Sequence, residues 1–105
     1  MILVTSDFVS GHEIETLGLV KGAVVKSKNV VSGFFQGLKS IIGGELKGFT
    51  DMMDDSRQEA TDRMVKQAEG MGADAIITIR YATSSILDGA SEILVYGTAV
   101  KLHRR

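Results

Sequence analysis

The run GGELKGFTDMMDDSRQEATDRM, Gly43 to Met64, concentrates the residues of this chain that could do chemistry. Its carboxylates, from Glu45 through Asp51, Asp54, Asp55, Glu59 and Asp62, are oxygen donors suited to a hard cation. Arg57 lies among them and offers a guanidinium fork for an anion or a carboxylate ligand. Softer metals want thiolate or imidazole, and the chain has no Cys and only two His, His12 in SGHEIET and His103 in KLHRR. HEIET lacks the second His of a zinc-binding HExxH, and His103 stands between Lys101 and Arg104-Arg105, which repel a cation.

Catalytic patterns are thinner still. Asp54 and Asp55 are adjacent, so on a helix they point about 100° apart and do not form a carboxylate dyad. Ser84 and Ser85 have no recognisable base, and no GxSxG elbow is present. Gly70 and Gly72 follow a helix where a phosphate loop would precede one, and GxGxxG is not completed, so no nucleotide or other cofactor is expected. Basic residues are dispersed apart from Arg104-Arg105, which argues against nucleic acid. The expectation is a protein that is not an enzyme.

Those residues need a scaffold, and 105 residues make one domain, 1-105. With 44% apolar and 24% charged residues and a formal net charge of -1, the composition is that of a soluble globular protein. The apolar start Ile2 to Val4 is too short for a membrane span and has no basic lead, so no membrane association and a cytoplasmic location are expected.

Periodicity places the elements. LGLVKGAVVKSKNVV, Leu17 to Val31, reads as a first main strand with a bend or close backbone approach at Gly18 and Gly22, and Ile2 to Thr5 as a minor one. Phe34, Leu38, Ile41 and Ile42 have helical spacing after Ser32, a plausible cap, giving a short helix that stops at Gly43-Gly44. Leu46, Phe49, Met53, Ala60, Met64, Ala68 and Met71 then form the apolar stripe of a long helix, with Asp51, Asp55, Glu59, Asp62, Lys66 and Glu69 on its wet side. Glu59 with Arg63 and Asp62 with Lys66 are expected i,i+4 pairs, each contributing about 0.2 to 0.5 kcal/mol, so most of the acidic knot needs no ligand to explain it. Arg57 falls near the middle of the stripe, where an unpaired charge is costly. It is expected either to pack its stem there and pair with Glu45, Glu92 or an acid of another subunit, or to clamp a ligand.

Gly70 and Gly72 suit a left-handed helix end. Strands follow at Ala75 to Tyr81 and Glu92 to Leu102, around an Asp88-Gly89 turn. The result is an α+β class: a small antiparallel sheet of about three main strands packed on one long helix, β-α-β-β in two layers. Alternation sends Ile77, Ile79 and Tyr81 to one sheet face and Ile76 to the other, and divides Leu94, Tyr96 and Val100 from Ile93, Val95 and Ala99. Both faces are apolar, and one helix covers only one, so the chain is expected to meet copies of itself.

In order, LGLVKG, IGGELKGFTDMMDDSRQEATDRMVKQAEGMGADAIITIRY and EILVYGTAV resemble the YbjQ family, whose label names heavy metals and whose function is not established. The resemblance runs from Leu17 to Val100. It rests on Gly43-Gly44 with Glu45, on Arg57, Glu59 and Ala60, on Gly72-Ala73-Asp74-Ala75 and on Tyr96-Gly97-Thr98-Ala99-Val100. It implies a dodecin-subunit-like fold assembled as a ring of five. Within such a ring Glu45, Arg57 and Arg80 are the candidates for a ligand or intersubunit site. The alternative is a metal-binding or metal-buffering ring whose ligands, Glu45 or helix Asp residues, come one from each subunit.

Overall fold

The computed structural model describes residues 1–27, 45–87 and 90–105. Five elements occur in the order β1 (Ile2–Leu3), β2 (His12–Ser27), α1 (Glu45–Gly70), β3 (Ala75–Leu87) and β4 (Ala90–Arg104). The strands form one mixed sheet in the order β1-β3-β4-β2. β4 pairs antiparallel with both long neighbours, while β1 runs parallel to β3. The three-stranded antiparallel sheet expected from periodicity is therefore four-stranded and mixed. The minor strand read at Ile2 to Thr5 is present as the two-residue β1, and its parallel pairing with β3 is what makes the sheet mixed. The short helix expected from Ser32 to Ile42 and the Gly43-Gly44 break lie outside the described residues.

α1 follows from its composition. It contains no Pro and is rich in Ala, Glu, Gln, Met, Lys and Arg, all good helix formers. Its end is a Schellman motif. Gly72 takes φ +78°, its N–H donates to the Glu69 carbonyl at 3.0 Å, and the Ala73 N–H donates to the Ala68 carbonyl at 3.1 Å. Gly72 alone is the left-handed residue; Gly70 is the last helical one. The chain then enters β3 directly, with the Asp74 N–H donating to the Val100 carbonyl.

One face of the sheet carries α1. Val20 and Val24 of β2, Ile76 and Ile79 of β3, and Ile93, Val95 and Ala99 of β4 enclose Ala60, Met64 and Ala68. The helix lies mainly on β2 and β4 and touches β3 little. Gly22 sets the approach: a Cβ there would stand 1.9 Å from the Ala60 carbonyl oxygen and 2.7 Å from the Met64 nitrogen. Only a missing side chain lets helix and strand meet at that distance. The close approach expected at the glycines is therefore present at Gly22, and Gly18 takes φ +152° where the β2–β4 register shifts.

A second bulge changes which β3 residues face the helix. The register with β4 shifts between Ile77 and Arg80, and Thr78 takes φ +55°. Strict alternation put Ile77, Ile79 and Tyr81 together. The extra residue instead sends Ile77 to the outer face, where it packs with Ala75, Val100, Val4, Val9, Ile14 and Leu102, and keeps Ile76 with Ile79 under the helix. The Thr78 N–H donates to the Ser6 carbonyl at 2.8 Å, which ties the bulge to the N-terminal segment. A β-branched residue pays about 1 to 2 kcal/mol for this conformation, and glycine costs about 0.5 to 1 kcal/mol in chain entropy elsewhere. Thr78→Gly is thus expected to raise stability by about 0.5 to 1 kcal/mol, read as a higher urea midpoint at unchanged slope; a lower midpoint would show that the bulge is not strained.

Candidate functional site

The helix surface answers the question of the acidic knot. Asp51, Asp55, Glu59, Asp62, Lys66 and Glu69 are all exposed. Arg63 bonds Glu59 at 3.0 Å, the expected i,i+4 pair, whereas Asp62 accepts from Gln58 Nε2 at 2.9 Å rather than meeting Lys66. A groove of about 400 Å³ runs along this flank, lined by Glu59, Asp62, Arg63, Val65, Lys66 and Glu69. Acids and bases alternate in it, and it holds no nucleophile with a base. Among the described residues no three His, Asp or Glu side chains stand where they could share a metal ion.

Arg57 is not buried in the stripe. It is exposed, its guanidinium pairs with Asp54 one turn back, and the fully buried polar position of this region belongs to its neighbour Ser56. The angular position read from the stripe holds for Arg57, but α1 sits mainly over β2 and β4, so its β3 side at this turn is only lightly covered by the sheet. That side is closed by a polar contact. Thr61 Oγ1 donates to the Arg57 carbonyl at 2.8 Å, and the Tyr81 hydroxyl, also at 2.8 Å, donates to Thr61. With 45% of its side chain exposed and an ion pair that is largely solvated, Arg57 contributes little to folding. Arg57→Met should shift stability by less than about 0.5 kcal/mol in thermal denaturation; a loss several times larger would make it a scaffold residue.

Arg80 is on the other side of the sheet. Tyr81 reaches the helix, so its neighbour Arg80 projects to the outer face, where Nη1 donates to the carbonyls of Thr5 at 3.2 Å and Ile79 at 2.8 Å. It pins the N-terminal segment. Arg57 and Arg80 therefore do not line one pocket. Glu45 is the first residue of α1, at its N-terminus.

The two histidines are close in register and still cannot cooperate. His12 pairs with Arg104 and His103 with Glu13. His103 Nε2 donates to Glu15 Oε1 at 2.8 Å, on the face opposite Ile14, while His12 shares the Ile14 face and its Nδ1 donates to the Ser10 carbonyl at 2.9 Å. One imidazole lies on each side of the sheet, so a single ion cannot take both.

The outer face is the larger feature. The N-terminal segment covers one end of it through Val4 and Val9. Beyond that cover Leu19 is 68% exposed, Val25 57% and Tyr96 39%, with Leu94 and Ala23 half-buried beside them. Sequence alternation put Leu94 and Tyr96 of β4 together on one face, as the structure does, but made no assignment of faces in β2. The Thr61–Tyr81 bridge escaped it, because a threonine inside a helix and a tyrosine in a strand carry no spacing signal across twenty residues.

Comparison with known proteins decides the family. A family model described as "Putative heavy-metal-binding", YbjQ, matches residues 1–103. The chain belongs to the YbjQ family. A UPF0145 protein of Clostridium novyi is 59% identical over 97% of this chain and 99% of its own length. One from Methanosarcina acetivorans is 44% identical over the full length of both. A crystal structure of a protein of unknown function from Pediococcus pentosaceus, assigned to the DUF74 family, superposes with a TM-score of 0.67 over 98% of each chain at 17% identity, which supports the fold alone. That structure shares this small α+β architecture, and neither the family description nor the names of these relatives is catalytic. Among the described residues no helix is long and apolar enough to cross a membrane.

Proposed function

We propose that this YbjQ chain is a non-catalytic cytoplasmic building block that assembles with copies of itself, as a ring of five, and presents its polar ring surfaces or pore to a small ligand or partner. The observation that carries this reading is the outer sheet face, where Leu19, Val25 and Tyr96 leave an apolar band in water. A band of that kind, next to a fully packed face, is the mark of a surface that is covered in the working state. The number five comes from the family resemblance. In such a ring Arg57 and Glu45 remain candidates for contacts to a ligand or a neighbouring subunit, while Arg80 is occupied by the Thr5 carbonyl.

Native mass spectrometry of the untagged protein, with and without a chelator, tests the reading. A pentamer without added mass is the expected result, and Leu19→Glu with Tyr96→Glu should convert it to monomer. A monomer from the unmodified chain overturns the assembly. A stoichiometric mass lost to the chelator would replace the reading with the metal-binding one suggested by the family description, with ligands gathered from several subunits.

A further inference from the structure

Among the described residues β2 is an edge strand: β4 lies on one side of it, and no other described strand lies on the other. An open strand edge of this length, sixteen residues and rich in Val, is a template for adding another chain. This one is not open. Gln67 Oε1 accepts the Lys21 backbone N–H at 2.8 Å, and Arg63 Nη1 donates to the Ala23 carbonyl oxygen. Both backbone groups point away from β4, two residues apart, as the groups that receive an incoming strand must be.

Arg63 and Gln67 are one helical turn apart, so they fall on the same flank of α1 and reach the strand in step with its period. Glu59, a further turn back, holds Arg63 at 3.0 Å and lies 4.0 Å from Lys26 Nζ. Side chains of Gln67, Arg63 and Glu59 therefore run down the edge beside Lys21, Ala23 and Lys26. The helix can reach that far because Gly22 lets it sit against the strand.

We propose that Arg63 and Gln67 close the β2 edge against addition of a further strand, so that copies of this chain meet elsewhere than along β2. The device goes beyond the assembly proposed above and stands or falls without it. A helix with only a long apolar stripe would pack as well on the sheet but would leave the Lys21 and Ala23 groups available to any extended segment. The pair blocks both hydrogen-bonding polarities, one acceptor for an N–H and one donor for a carbonyl.

The test compares two double variants by light scattering and thioflavin T fluorescence over a range of concentrations. R63A/Q67A removes both caps and should form larger, thioflavin-positive assemblies as concentration rises. R63K/Q67E keeps a donor for Ala23 and an acceptor for Lys21 and should retain the size of the unmodified protein. A folded R63A/Q67A that keeps the unmodified size at every concentration overturns the proposal. Hydrogen exchange of the unmodified protein decides the matter if R63A/Q67A does not fold: the Lys21 amide should exchange at least roughly tenfold more slowly than an exposed loop amide, and exchange at the loop rate overturns the proposal. The size of the unmodified protein in the same measurement reports separately on the ring.

Discussion

Gly22→Ala is expected to cost about 3 kcal/mol or more, at the upper end of what overpacking a well-packed core produces. The added Cβ would meet the Ala60 carbonyl oxygen at 1.9 Å and the Met64 nitrogen at 2.7 Å. Both are backbone atoms of α1, so no side-chain rotation relieves the contact, and the helix must lift from β2. Lifting it also loosens Val20, Val24 and Met64, which are packed in the same core. For a domain of this size the loss corresponds to a fall in melting temperature of roughly 12 to 24 °C. Two controls separate the mechanism from a general intolerance of glycine substitution. Gly70→Ala, with nothing within 4 Å of the added carbon, should be neutral or stabilising by up to about 1 kcal/mol. Ala60→Gly should fail to rescue Gly22→Ala, because the obstruction is the carbonyl of residue 60 and not its side chain. Rescue, or a Gly22→Ala protein as stable as the parent, would mean that helix and strand do not meet as described.

Met64→Ala carries the second large effect. Met64 heads the largest fully buried side chains and stands between Ala60 and Ala68 on the helix stripe, facing the sheet. Its immediate helical neighbours on that stripe are alanines, so it supplies most of the volume between α1 and the sheet there. Truncation should cost about 2 to 5 kcal/mol, the transfer free energy plus the cavity left behind. Met64→Leu conserves volume and should cost less than about 1.5 kcal/mol. Urea unfolding followed by circular dichroism distinguishes the two; equal midpoints for Met64→Ala and the parent would place Met64 outside the core.

The helix and the three long strands were legible because each has a period that burial enforces. Ala60, Met64 and Ala68 on one side and Ile93, Val95 and Ala99 on the other come from simple counting, and the structure keeps them together. What counting could not supply was anything set by an irregularity. The bulge at Thr78 adds one residue to β3 and puts Ile77 and Ile79 on opposite faces, and no residue type at that position announces it. Arg57 shows a different limit. Its angle on the helix was read correctly, but exposure depends on where the sheet lies beneath that angle, which is fixed by Gly22 holding α1 over β2. Among the site candidates, the sequence identified charged residues by type and could not assign their partners. Arg80 holds the Thr5 carbonyl, seventy-five residues away in the chain, and Gln67, which no motif singled out, caps a backbone amide of β2.

The strand order has a consequence for how the chain comes to be folded on the ribosome. β2 is made early, and its strand neighbour β4 is the last of the described elements to be synthesised; Thr16 meets Val100 and Glu13 meets His103. β1 likewise waits for β3. The β3–β4 hairpin is local and closes on the microsecond scale once made, whereas β2 must return across the whole helical segment. Until β4 emerges, then, the Val-rich β2 sequence is without its strand partner, and among the described elements α1 is the one packed on β2 that is made before β4. A nascent chain halted before β4 would present that stretch to chaperones, and emergence of β4 would be the event that completes the sheet.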